Sequence, residues 1–226
     1  MKLTYYGQSC FAVEIEDKTL LFDPFITPND LAKNININTI RADFILVSHG
    51  HSDHIADGVT LAKLTNALVV SSFEVINWFS DKEIEKTHPM NIGGQWSFEF
   101  GNIKCTNAIH SSALPDGSYG GNPMGFLITS NNKSFYYSGD TALTMDMQLI
   151  PRWSKPDFAV LPIGDNFTMG YEDAIIAAEM IQCKNIVGVH YDTFGFIKID
   201  HQKVKRAFAD AGVNLFLPAI GQSIEL

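Results

Sequence analysis

Hydrophobic and polar positions alternate in short runs through the first third of the chain. Lys2 to Tyr6, Cys10 to Glu16 and Thr19 to Asp23 each have the two-residue period of a strand with one covered face, and Phe11, Val13 and Ile15 mark that face in the second run. With an Asp17-Lys18 turn between the last two, they predict an antiparallel meander. Residues 24–40 contain Pro24, Pro28 and four Asn without periodicity, a loop long enough to carry function. Asp43 to Ser48 (DFILVS) is a continuous apolar run, the pattern of a strand covered on both faces. Helical spacing follows at Val59 to Leu64, then a strand at Ala67 to Ser71 and a short helix at Phe73 to Phe79.

The second half repeats this style. Alternating strands at Gln95 to Phe100 and Ile103 to Ile109 lead into a Gly- and Pro-containing loop, His110 to Pro123. Strands follow at Gly125 to Thr129, Ser134 to Ser138 and Asp157 to Pro162, then a helix at Glu172 to Gln182 and a strand at Asn185 to Val189. A helix at Asp200 to Ala211 and strands at Asn214 to Leu217 and Gln222 to Glu225 close the chain, with Asp200 as a good helix N-cap. No linker or low-complexity segment divides residues 1–226, so the expectation is one α+β domain of two similar halves. Strands and helices in both halves predict a four-layer αββα sandwich, two packed mixed sheets with outer helices.

Composition narrows the function. Among 226 residues, sixteen Phe and seven Tyr can fill a sizeable core, which excludes intrinsic disorder. A net charge of −9 and only three arginines (Arg41, Arg152, Arg206) disfavour nucleic acid as a partner. No apolar run approaches the roughly 18 residues of a membrane span, and the start lacks a signal-peptide core, so a soluble cytoplasmic protein is expected. Cys10, Cys105 and Cys183, odd in number and set in apolar stretches, read as reduced buried thiols.

A metal ligand or acid/base group falls just past the end of five predicted strands: His49, His110, Asp140, Asp165 and His190. Rigid strands hold functional groups at their ends, so one shared cleft is the economical arrangement. The dense cluster is His49-Gly50-His51-Ser52-Asp53-His54, four ligand-type residues in six positions. The two imidazoles at i and i+2 can face one ion while Asp53 and His54 turn towards a second. A structural zinc site would be closed by four Cys or His, whereas mixed nitrogen and oxygen donors favour a catalytic site with open positions.

These residues carry a resemblance. His49-x-His51-x-Asp53-His54, His110 in IHSS, Ser138-Gly139-Asp140-Thr141 and His190 in VGVHYDTF resemble the metallo-β-lactamase superfamily, in the right order over essentially the whole chain. GGNPMGF, YYSGDTAL, LPIGDNFTMG and HYDTF are similar to its compact bacterial branch of metal-dependent hydrolases. That branch is related to ascorbate-phosphate lactonases and, more distantly, to N-acylphosphatidylethanolamine phospholipases. The resemblance implies that His49, His51 and His110 hold one divalent ion, that Asp53, His54 and His190 hold another, and that Asp140 bridges them. Zn or Mn is expected. The implied activity is hydrolysis of an ester-like bond (lactone, phosphodiester or related small metabolite) by a hydroxide shared between two ions. A Cys in place of Asp140 would instead resemble the true lactamases, so antibiotic hydrolysis is disfavoured.

Further roles follow at the level of single residues. Asp53, Asp140 and Asp165 are the expected catalytic carboxylates, with Asp192 a weaker candidate, and Asn122, Asn166 and Thr168 are expected to bind substrate. Asp23, ending its strand in FDPF, is a candidate acceptor for an imidazole N–H. Relatives often begin Gly-His-Ser, where this chain has Gly7-Gln8-Ser9; Gln8 can hydrogen-bond but cannot exchange a proton near neutral pH. His88 and His201 read as surface residues. The alternatives are a di-iron redox enzyme on the same scaffold, whose relatives usually carry a carboxylate at the position of His51 and an added flavin domain, a non-catalytic metal-stabilised binding protein, and an RNA-processing enzyme. Short loops over the cleft favour a small-molecule substrate, and self-association into a homo-oligomer is left open.

Overall fold

The computed structural model describes residues 1–226. The meander is formed by β1 (Lys2–Gly7), β2 (Cys10–Ile15) and β3 (Lys18–Phe22), and β4 (Phe44–Leu46), β5 (Leu68–Ser72) and β6 (Thr87–Met90) continue the same sheet. The second sheet runs β7 (Gln95–Phe98), β8 (Gly101–Asn107), β9 (Met124–Ser130), β10 (Lys133–Tyr137), β11 (Phe158–Pro162), β12 (Asn185–Val189) and β13 (Asn214–Phe216). The last strand, β14 (Ser223–Glu225), crosses back to pair with β1. Apart from β14, each sheet follows chain order, and each starts with three antiparallel pairings, β14-β1-β2-β3 and β7-β8-β9-β10. Three parallel pairings complete each one.

Parallel neighbours need crossovers, and helices supply most of them. They are α1 (Ser52–Ile55), α2 (Gly58–Thr65) and α3 (Phe73–Asp81) in the first half, and α4 (Ile150–Trp153), α5 (Tyr171–Met180) and α6 (His201–Asp210) in the second. Asp200 caps α6 as expected, accepting from the backbone N–H groups of Gln202 and Lys203. Alternation sorts each strand between two cores. Phe11, Val13, Phe22, Phe126, Phe135, Tyr137, Phe158 and Val160 meet between the sheets. Leu21, Ile45 and Val69 instead face α2 and α3, and Ala159, Leu161 and Ile186 face α5 and α6. The result is the αββα sandwich.

Three departures from the pattern-based expectation have physical causes. The edge strand β6 contains a His-Pro pair in a charged stretch, which hid it; an edge position tolerates Pro89 because its missing N–H costs no ladder bond. His88 is accordingly half-buried on β6, its ring 5.0 Å from those of Trp96 and Phe98, not a surface residue. The 24–40 loop contains two 3-10 turns, Asp30–Ala32 and Ile37–Thr39, capped by the side chains of Asn29 and Asn36. Finally, α4 was hidden by its shortness and by Pro151.

Candidate metal centre

The aromatic core reaches directly into the site. Phe11 and Phe22 stack at 4.6 Å, and the Tyr137 ring stands edge-on to both. The Tyr137 hydroxyl donates to Asp23 Oδ2 at 2.5 Å. Asp23 is fully buried at the end of β3 and is a hub: Oδ1 accepts from the Ser48 N–H at 2.7 Å, and Oδ2 also accepts from the Ser48 hydroxyl at 2.6 Å and from His54 Nδ1 at 2.8 Å. With Nδ1 engaged by this carboxylate, Nε2 of His54 is turned to the site.

The motif after β4 is not all loop. His51 is the N-cap of α1, which places Asp53 and His54 in one tight turn. His49, fully buried, holds the Ser48 hydroxyl at Nδ1 (3.0 Å) and directs Nε2 to within 2.9 Å of His51 Nδ1. The ring of His110, beyond the end of β8, lies 5.1 Å from each of these two rings. Asp140 follows β10 and His190 follows β12. Asp140 Oδ2 stands 3.0 Å from His190 Nε2, 3.1 Å from His54 Nε2 and 3.7 Å from His110 Nε2. Two donor groups result, His49-His51-His110 and Asp53-His54-Asp140-His190, with one ligand atom from each residue lying within 4.8 Å of the others in its group.

Two features test whether divalent ions fit these residues. His54 Nε2 and Asp140 Oδ1 are buried without a hydrogen-bond partner, a costly state that a bound cation removes. The donors also surround common points with five imidazoles and two carboxylates, the mixed set that suits Zn, Mn or Fe. The residues fit.

Three of the chain's eleven non-glycine residues with left-handed backbone lie at the site. Gln8, Asp23 and His190 adopt left-handed conformations (φ of 52°, 42° and 55°), which non-glycine residues hold only when their surroundings over-determine them. The His190 N–H donates to the Gln8 carbonyl at 3.0 Å, and Gly164 packs so close to His190 that any Cβ there would overlap the His190 carbonyl oxygen.

The profile of the beta-lactamase superfamily domain matches residues 18–191. A UPF0173 metal-dependent hydrolase of Christiangramia forsetii is 56% identical over 227 residues, covering all of both chains, and one of Flavobacterium johnsoniae is 53% identical over 226 residues, again covering all of both. This chain belongs to that metal-dependent hydrolase family of the beta-lactamase superfamily. Among solved structures, the metallo hydrolase Igni18 of Ignicoccus hospitalis superposes with a TM-score of 0.89 at 32% identity, covering 100% of this chain and 98% of the other.

Electrostatics divide the hydrolase's donors. Burial first, and the neighbouring imidazoles after it, hold His49 well below the usual histidine range; burial also lowers His51 and His110. Burial likewise works against charge on His54 and His190, but Asp140 and its neighbouring carboxylates outweigh it and raise both. For Asp140 and Asp53 burial favours the neutral acid, yet the adjacent imidazoles prevail and hold both carboxyl groups well below the usual range.

All seven expected metal ligands of the hydrolase therefore meet. The floor of a cavity of about 730 Å³ is formed by His51, Asp53, His110, Asp140 and His190. The other expected site residues do not line it. Asp165, at a φ of 62°, is exposed and accepts the Asn166 N–H in its own turn; Asn166 is exposed; Thr168 bonds the Met169 carbonyl. Asn122 is exposed and accepts from the Tyr119 hydroxyl. Asp192 serves as a clasp, taking His201 Nε2 at 2.6 Å and the Ile199 N–H at 3.0 Å, so His201 is tied to it. Residue-type reasoning missed Gln8 as a holder of the site: its Nε2 donates to Asp53 Oδ2 at 2.9 Å. It also missed Phe167, Phe194 and Phe196 at the cavity rim, which no local signal separates from the chain's other phenylalanines.

Proposed function

We propose that this metal-dependent hydrolase works with two divalent ions, Zn or Mn, on an ester-like bond of a small molecule. The observation that carries the reading is the position of Asp140, whose one oxygen lies within 3.7 Å of imidazoles from both donor groups. His49, His51 and His110 would hold one ion, Asp53, His54 and His190 the other, and Asp140 would touch both. Two such ions supply Lewis acidity at a carbonyl or phosphoryl oxygen and lower the pKa of water.

The chain's own residues do the rest. Asp23 fixes the direction of His54, Gln8 holds Asp53, and burial keeps His49, His51 and His110 neutral and ready to donate a lone pair. Asp140 and Asp53 stay ionised and balance cationic charge. Water adds to the acyl or phosphoryl centre, the bond to the leaving oxygen breaks, and the products are an acid anion, an alcohol and a proton. No helix is long and apolar enough to cross a membrane, and a cytoplasmic setting, small-molecule substrate and absence of a nucleic-acid partner belong to the same proposal.

The test is metal analysis of purified protein together with a screen of 4-nitrophenyl acetate, a γ-lactone and bis(4-nitrophenyl) phosphate. Two equivalents of Zn or Mn with hydrolysis of at least one class is the expected result. Iron with visible absorbance and no hydrolysis overturns it in favour of redox chemistry.

A further inference from the structure

The rim of the metal cavity is apolar and its walls carry no cation. Three phenyl rings stand there: Phe167 in the turn after β11, and Phe194 and Phe196 in the segment after β12, with exposures of 50%, 38% and 78%. Phe167 and Phe196 approach edge to face at 6.2 Å, and both line the cavity. Single exposed apolar residues are ordinary, but three phenyl rings around one polar floor form a patch of the kind that marks a binding site. No lysine or arginine side chain lines the cavity; beyond the metal floor its polar side chains are the neutral hydroxyls of Ser111 and Thr193, so no cation is placed to pair with a phosphate or carboxylate.

The rim is also held in place. Asp192 accepts from Ile199 N–H and pairs with His201, and its own N–H donates to the Ile197 carbonyl at 2.8 Å, closing the segment that carries Phe194 and Phe196. Phe194 leans on the buried Phe25 at 6.4 Å. A backbone segment fixed before substrate arrives loses little freedom on binding.

We propose that the substrate is an uncharged carboxylic ester or lactone whose apolar acyl chain or aromatic group lies across Phe167, Phe194 and Phe196 while its carbonyl faces the Asp140 floor. This rests on the hydrolytic reading above and narrows it, because phosphomonoesters and other strongly anionic metabolites find no cationic side chain on these walls. Hydrolysis breaks the acyl C–O bond, water provides the new oxygen, and a carboxylate, an alcohol and a proton leave.

The experiment compares kcat/KM for 4-nitrophenyl acetate, butyrate and hexanoate on the metal-loaded protein, with 4-nitrophenyl phosphate and bis(4-nitrophenyl) phosphate alongside. Each added methylene that reaches the rim is expected to raise kcat/KM by about two- to fourfold, and the phosphomonoester is not turned over. Phe196→Ala, at a side chain too exposed to matter for folding, and Phe194→Ala each reduce the hexanoate-to-acetate ratio severalfold. Calorimetry with hexanoate against acetate reads the same preference without turnover. Ester hydrolysis with a flat chain-length series, a ratio untouched by both variants, or preferred turnover of the phosphomonoester overturns the substrate class and leaves the hydrolase reading intact. Two bound ions with no hydrolysis of any ester or diester overturns the hydrolytic reading and this inference with it.

Discussion

Replacing Asp23 by Asn tests how far the buried hub behind the metals governs the site. The carboxylate receives donors at both oxygens, Ser48 N–H at Oδ1 and Ser48 Oγ, Tyr137 OH and His54 Nδ1 at Oδ2. An amide has one acceptor oxygen and one NH2, so each orientation fails somewhere. With the amide oxygen in the Oδ2 place, the NH2 faces the Ser48 N–H, which was 2.7 Å from an acceptor and cannot reverse. In the other orientation both hydroxyls can turn, but His54 must present a bare Nδ1, and its proton moves to Nε2, the atom aimed at Asp140. One buried donor without an acceptor costs about 1–3 kcal/mol, and losing the charge behind an imidazole lowers metal affinity about 10–100-fold. Urea denaturation of the metal-free protein should therefore show a loss of about 2–4 kcal/mol, the upper part reflecting charged hydrogen bonds. A competition titration with a chromogenic chelator should show one weakened equivalent. Unchanged stability with both equivalents at wild-type affinity would refute the hub argument.

Asp140→Asn is expected to fold yet lose an equivalent of metal and nearly all hydrolysis, while His88→Ala, on the far edge strand, changes neither; metal content and activity of the two variants check this. Acidification should strip the two donor groups in order. His49, His51 and His110 have lowered pKa values and stay neutral below pH 7, so metal there releases few protons, whereas His54 and His190 have raised values and must give protons up. Affinity at the Asp53-His54-His190 group should thus fall about tenfold per released proton per pH unit, and metal stoichiometry against pH should pass through a one-ion plateau; simultaneous loss of both ions contradicts the assignment. Gly164→Ala forces the His190 carbonyl aside and should lower both the melting temperature and metal retention, read by calorimetry and metal analysis, with unchanged values contradicting the close packing.

The candidate metal ligands were legible in the chain, the 49–54 cluster from residue type and spacing and the full set of seven through the superfamily resemblance, and the fold brings all seven together. His49, His110, Asp140 and His190 each follow an apolar or alternating run that declares a strand, and the 49–54 motif admits few other uses. The two-sheet architecture was legible for the same reason, since a period of two and a period of 3.6 survive without knowledge of partners. What could not be read locally depends on contacts between distant segments. Gln8 and Asp53 are 45 positions apart, and Tyr137 and Asp23 are 114 apart; only closure of the sandwich brings the donor of each pair to its acceptor. Asp165, Asn166 and Asn122 had suitable chemistry, but the turns that hold them direct it elsewhere. Phe167, Phe194 and Phe196 are indistinguishable in pattern from the phenylalanines that fill the core. Burial is a property of the folded surface, so tertiary structure alone decided which rings pack inside and which three stand at the mouth of the metal cavity.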